Sequence, residues 1–304
     1  MPAWRTANAR DGRGVFPPLV VAEVKALACE LPATTGVPLS KWSCTELAWE
    51  VVDRKFAGSM SAATVWRILT KDAIKPWLHR SWIFPRAPDF ATRAAVVLDL
   101  YARSFEGQAL GDNELVICAD EKTSIQVRCR CHPTLPPGRS RLMRVEHEYE
   151  RKGAVAYLAA YDVHRARALG RTEETTGIEP FGRLVAQVMT AEPYASAERV
   201  FWVFDNGSSH RGQASVDRLQ GEWPTLRLVH LPVHASWLDQ CEIYFSVVQR
   251  KVVSPNDFFD TDEVARRLAA FEDRYNRMAV PFDWRFGRDD LDKFLARLDA
   301  HQAG

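Results

Sequence analysis

No apolar run in the 304-residue chain approaches the roughly 18 residues a membrane-spanning helix needs. The N-terminal stretch MPAWRTANARDGRG also lacks the apolar centre of a secretory signal. These absences predict a cytoplasmic protein with no membrane partner. Cysteine is sparse: Cys29, Cys44, Cys118, Cys129, Cys131 and Cys241, without a leader, predict reduced thiols rather than a disulfide framework. Zinc is disfavoured as well, because Cys129, Cys131 and His132 have no second Cys/His pair at the usual spacing. Pro232 keeps His230 and His234 from sharing a helix. Excess charge of one sign is missing too, with 40 Lys and Arg against 39 Asp and Glu. The total balance therefore announces no nucleic-acid partner, and no internal repeat points to a solenoid.

What is present is an ordinary globular composition, 46% apolar and 26% charged, in a chain long enough for two domains. Charge is uneven locally. Arg5, Arg10 and Arg13 face a single Asp11 in the first fourteen residues, and Arg139, Arg141 and Arg144 cluster in CHPTLPPGRSRLMR. Residues 1–16 read as a basic, flexible arm. From residue 17 to 74 the pattern is helical. PPLVVAEVKALACELP carries Val20, Val24, Leu27 and Leu31 at helical spacing. Ser43 with Glu46 forms a capping-box signature before CTELAWEVVDRKF, Gly58 breaks the pattern, and Ser61 caps AATVWRILTKDA. Two amphipathic helices joined by a Gly-containing turn have the layout of a helix-turn-helix unit, and equally of a plain three-helix bundle.

Residues 75–112 read as a Pro- and Trp-rich linker followed by a helix from about Ala91 to Glu106. From 113 to 304 the period becomes strand-like. ELVICAD, TSIQVRCRC and GAVAYLAAYDVHRARALG are taken as three strands, with an irregular segment over residues 132–152. Alternation then follows: helix IEPFGRLVAQVMT, strand ERVFWVFDN, helix RGQASVDRLQGEW, strand TLRLVHLPV and one helix over SWLDQCEIYFSVVQRKVV. Two polar helices close the chain. The pattern predicts an α/β layer fold with a mixed sheet flanked by helices.

Asp120 ends one apolar run and Asp205 another. Ligands of open α/β sheets gather outside the carboxyl ends of strands, so the two acids are candidates to lie side by side. Carboxylates held together repel unless a divalent cation neutralises them, and oxygen-only ligands favour Mg²⁺ or Mn²⁺. A third acid is expected from the following helix, where Asp239 and Glu242, three apart, share a face. Taken singly, each acid reads equally as a turn or cap carboxylate.

CADEKTSIQ, FDNGSSHRG and HASWLDQCEIYFSVVQRK, in this order, resemble the three catalytic blocks of the mariner superfamily of transposases, in particular the bacterial insertion-sequence transposases of the "six-thirty" branch. That resemblance implies an RNase H-like catalytic domain behind an N-terminal all-α helix-turn-helix domain. It implies a DDE triad of Asp120, Asp205 and Glu242 holding Mg²⁺ or Mn²⁺, two ions in all. It also implies cleavage at terminal inverted repeats of double-stranded DNA, insertion into target DNA at a TA dinucleotide, and a homodimer clamped through CHPTLPPGRSRLMRVEHEYERKG. Where the family usually has Asn, this chain has Asp239, which together with Asn206 is placed behind the metal ligands. Relatives carry a further helix-turn-helix before the one seen here, and the chain begins in what resembles the linker between the two, so weaker end recognition is expected.

DNA contact is assigned to Arg5, Arg10 and Arg13 in the minor groove, and to Ser61, Thr64, Arg67 and Lys71 along one stripe of a major-groove helix. Lys122, Arg128, Arg211, Arg250 and Lys251 flank the three blocks. Two alternatives stay open: a nuclease of the same fold that cuts without joining, and a transposase-derived DNA-binding regulator.

Overall fold

The computed structural model describes residues 16–79, 85, 87–139, 141–205 and 213–302, which divide into two compact units, one within residues 1–82 and one within 83–304. The first unit is helical. Helix α1 (Pro18–Cys29) takes Pro18 at its first position, where a missing N–H costs nothing. Helix α2 (Cys44–Asp53) begins with the predicted capping box: Glu46 N–H donates to Ser43 Oγ at 3.2 Å, and Ser43 N–H donates to Glu46 Oε2 at 2.8 Å. Helix α3 (Ala62–Lys71) is capped by Ser61, which accepts from Thr64 N–H. The apolar stripes of the three helices close on one core containing Val24, Leu27, Trp42, Leu47, Val51, Val65 and Leu69. Trp42 also satisfies its indole N–H on the Glu30 carbonyl at 2.9 Å, tying the loop before α2 to the end of α1.

In the second unit, α4 (Phe90–Tyr101) leads through a short hairpin, β1 (Ser104–Phe105) and β2 (Gln108–Ala109), into the sheet. Strand β3 (Glu114–Arg130) is one continuous element where the sequence predicts two. The predicted gap, Glu121 and Lys122, is paired with β4, and the irregularity lies just beyond it, where Ser124 with a φ of 53° accompanies a register shift, a bulge that does not end the strand. The long predicted third strand is instead a hairpin, that same β4 (Tyr149–Asp162) and β5 (Arg167–Glu173). Its turn is built by Asp162, whose Oδ1 accepts from His164 N–H and Arg165 N–H, with Ala166 at positive φ. Residues 149–152 of the predicted irregular segment therefore belong to β4.

Helix α5 (Ile178–Met189), β6 (Arg199–Phe204), α6 (Gln213–Glu222) and β7 (Leu226–His230) follow in the predicted alternation. Among the described residues the strands form a mixed five-stranded sheet in the order β5-β4-β3-β6-β7, with β3, β6 and β7 parallel and β4 antiparallel to both neighbours. Both faces are covered, which explains the unbroken apolar runs. On one face α5 packs Phe181, Leu184 and Val188 against Ile117, Trp202 and Phe204. On the other, Val116, Cys118, Phe201 and Val203 meet α4, α7 (Gln240–Val248), α8 (Thr261–Asn276) and α9 (Arg288–Gln302).

The single helix predicted from Ser236 to Val253 is three pieces: a 3₁₀ turn at Ser236–Leu238, α7, and a π turn at Gln249–Val253. Asp239 is the reason for the first division. It has extended backbone and caps α7, its carboxylate taking the Cys241 N–H at 2.7 Å, so it stands before the helix and not on a helical face with Glu242.

Candidate active site

Two strands place the first two acids. The parallel register pairs Ala119 with Phe204 as its last rung, and the next residues on the two strands are Asp120 and Asp205. Because side chains alternate across a strand, Asp120 follows Cys118, and Asp205 follows Phe201 and Val203, onto the face covered by α7. Both acids are half-buried, and Asp120 Oδ1 accepts the Glu121 N–H at 2.7 Å.

The segment entering α7 brings the other two acids. Tyr101 donates its hydroxyl to the Leu238 carbonyl at 2.6 Å and lies 3.0 Å from Cys118 Sγ, linking α4 and β3 to the turn before Asp239. Asp239 is only 1% exposed, and its Oδ2 has no hydrogen-bond partner. Glu242 lies in the first turn of α7 and is exposed. No ion pair to Asp120, Asp239 or Glu242 occurs among the described residues.

The acids act on one another electrostatically. Burial pushes the Asp120 carboxyl up to about 7; the Glu121 N–H works in the opposite direction, and the charges of Glu242, Asp205 and Glu121 raise it further. Burial, with the charge of Asp120 next, drives Asp239 well above the ordinary carboxylate range; the Cys241 N–H opposes this, while Glu242 and Asp205 add to it. Burial, reinforced by the charge of Asp239, also raises the thiols of Cys118 and Cys241, so the cysteines next to the acids are neutral packing groups. All six cysteines are free, in line with the absence of a disulfide framework.

Residues 115–265, from the start of β3 into α8, match the family described as DDE superfamily endonuclease. This stretch is a DDE superfamily endonuclease domain. It contains all four acids. No curated protein matches the chain in sequence. In fold, the chain is similar to the Mos1 transposase in its paired-end complex with the left transposon end, at a TM-score of 0.57 and 14% identity, over 96% of this chain and 82% of that one. It is similar to the Mos1 mariner paired-end complex with Mn at 0.53 and 16%, over 95% and 80%, and to the complex with Mg at 0.51 and 13%, over 97% and 81%. The mixed α/β architecture expected from the strand pattern is thus shared with those structures.

Among the described residues of the DDE domain and the rest of the chain, no three His, Cys, Asp or Glu side chains are grouped closely enough to hold a metal ion. The donor set is nonetheless suited to one. It offers carboxylate oxygens alone, with no counter-cation on Asp120, Asp239 or Glu242 and one buried carboxylate oxygen lacking a donor.

Of the residues assigned to DNA in the first unit, Ser61, Thr64 and Arg67 bond to one another. Ser61 Oγ lies 2.9 Å from Thr64 Oγ1, and Arg67 Nη2 donates to Thr64 Oγ1 at 3.1 Å, with Lys71 in the last turn of α3. Arg67 and Lys71 are exposed. Arg5, Arg10, Arg13, Asn206 and Arg211 lie outside the described residues. Between β3 and β4, Arg130 holds the base of the Arg-rich segment by donating to Glu146 O at 2.8 Å and Asn256 O at 2.9 Å, while Leu142 is 72% exposed. Sequence reasoning missed Tyr101 and the burial of Asp239. For Asp239 a signal existed, since Asp directly before an apolar helical run is a capping pattern.

Proposed function

We propose that the chain is a DNA transposase that binds the ends of its element and cuts and joins phosphodiester bonds through Asp120, Asp205 and Glu242. The observation that carries the reading is the placement of Asp120 and Asp205 at the carboxyl ends of two adjacent parallel strands, inside the stretch that matches DDE endonucleases, with the charges of Glu242 and Asp205 both acting on Asp120. Such a group destabilises the fold by repulsion, and a metal-dependent reaction gives it a use.

In this reading Asp120, Asp205 and Glu242 hold Mg²⁺ or Mn²⁺, two ions in all. When bound, such ions activate an attacking hydroxyl and stabilise the leaving oxygen of an in-line displacement. The residues themselves orient. The sheet fixes Asp120 and Asp205 by backbone pairing just before them, and α7 supplies Glu242 from across the same face. The first reaction adds water to phosphorus and breaks the P–O3′ bond, releasing a 3′-hydroxyl. In the second, that hydroxyl attacks a target phosphodiester, at a TA dinucleotide, and expels the target's own 3′-oxygen.

Residues 17–74 act as a helix-turn-helix domain in this proposal. Helix α3 enters the major groove through Ser61, Thr64, Arg67 and Lys71, and Arg5, Arg10 and Arg13 follow the minor groove. The exposed Leu142 and Met143 and the neighbouring arginines support a homodimer joined through the segment between β3 and β4.

A strand-transfer assay with labelled element ends, target DNA and Mg²⁺ tests the reading. Joined products are expected. Cut but unjoined products would favour the nuclease, and a retarded, uncut probe the DNA-binding regulator.

A further inference from the structure

Asp239 offers one carboxylate oxygen more than its cap requires. Oδ1 takes the Cys241 N–H and completes the N-cap of α7. Oδ2 is buried and meets no donor. The Tyr101 hydroxyl is committed to the Leu238 carbonyl and the Cys241 thiol to the Ala159 carbonyl, while the weakly donating Cys118 thiol, 3.0 Å from the Tyr101 hydroxyl, also neighbours the Asp239 carboxyl. A buried carboxylate oxygen that accepts no hydrogen bond has lost its hydration without replacement, and a cation is the partner that removes that cost. The charges acting on Asp239 come from the other three acids, with Asp120 foremost.

We propose that Asp239 is itself a ligand of the divalent cation, binding it through Oδ2 together with Asp120, and does not stand behind the ligands as the sequence suggests. The proposal rests on the metal-dependent reading of the DDE domain. Its chemistry is that of a hard oxygen donor, and Mg²⁺ and Mn²⁺ commonly take one or two carboxylates on one ion. Four carboxylates also balance the charge of two divalent cations, whereas three leave an excess positive charge. Asp239 further differs from Glu242 in being held: its cap fixes it against α7, while Glu242 is exposed at the first turn.

The test is Mn²⁺ binding by the full chain without DNA, followed by electron paramagnetic resonance of free Mn²⁺. Asp239→Asn keeps the oxygen that caps α7, so the fold is retained. It is expected to weaken Mn²⁺ binding about tenfold or more. Asp239→Cys is then titrated with Cd²⁺. A thiolate-to-cadmium charge-transfer band beyond that of the unsubstituted chain is expected, because only a direct ligand produces it. Unchanged Mn²⁺ binding by Asp239→Asn, or weakened binding with no additional cadmium band from Asp239→Cys, overturns the proposal. If Asp120→Asn binds Mn²⁺ as tightly as the unsubstituted chain, the metal reading of the whole acid group fails, and this proposal with it. Loss in Asp120→Asn alone leaves the metal reading intact and sinks only the role of Asp239.

Discussion

The two units carry their functional candidates in opposite ways. In the first, Ser61, Thr64, Arg67 and Lys71 lie along α3 at the surface, where water solvates the charges and the hydroxyls and guanidinium bond to one another. In the second, Asp120, Asp205 and Asp239 are held in half-buried or buried positions by strand register and a helix cap, and each raises the proton affinity of a neighbour. An exposed basic stripe costs the fold nothing and is correspondingly weak support for function. A buried acidic group destabilises the fold, so its presence is the stronger argument.

The largest expected effect tests the acidic side of this contrast. Asp205→Ala should lower DNA cleavage about a thousandfold or more, on the scale of removing a principal electrostatic element of an active site. Unchanged cleavage would remove Asp205 from the reacting group.

Glu272 separates burial from function within the same unit. Its Oε2 accepts from Gly170 N–H at 2.6 Å and the Tyr157 hydroxyl at 3.3 Å, so, unlike Asp239 Oδ2, it is fully engaged. Burial raises its carboxyl from 4.5 to about 7. The folded chain thus holds this proton more tightly than the unfolded chain. The stabilisation is complete below pH 4.5 and is lost as pH rises through about 7, amounting to at most about 3 kcal/mol. Denaturant midpoints measured at both ends of that window should fall with rising pH in the unsubstituted chain and fall less in Glu272→Gln. An equal fall in both would show that Glu272 ionises freely.

The smaller effects belong to α3. Ser61→Ala removes the cap on Thr64 N–H and should cost about 1 kcal/mol of stability in thermal melts of the first unit. Arg67→Ala should leave stability almost unaltered while reducing by about one the slope of log affinity for element ends against log salt. A slope equal to that of the unsubstituted chain would return α3 to the status of a solvated helix face.

Local chemistry was legible where it is self-contained. Ser43 with Glu46, and Ser61 before an amphipathic run, announced α2 and α3 because a cap is satisfied within four residues. Strand β6 was legible because five consecutive apolar residues, Val200 to Phe204, suit a strand buried on both faces. The division of the central strands was not. The charged pair Glu121 and Lys122 looks like a strand end because it interrupts the apolar run, although both residues pair with β4 and pairing resumes beyond the bulge at Ser124. The turn at Asp162 is hidden by apolar residues on either side, and only the side chain's bonds to two backbone N–H groups reveal it. Asp239 was misread for a related reason: three-residue spacing implies a shared face only if both residues are inside the helix.

Sequence by itself determined which acids were available, in what order, and that two of them end apolar runs. It also settled the caps of α2 and α3 and the alternation of helices and strands beyond β5, since these depend on contacts between near neighbours and on a period of two or 3.6 residues. Tertiary structure alone decided that β3 and β6 are adjacent and parallel, which sets Asp120 beside Asp205, and that α7 covers the same face. It alone decided that Asp239 is buried with a free oxygen while Glu242 is exposed, because burial depends on strand order and helix packing between residues far apart in the chain.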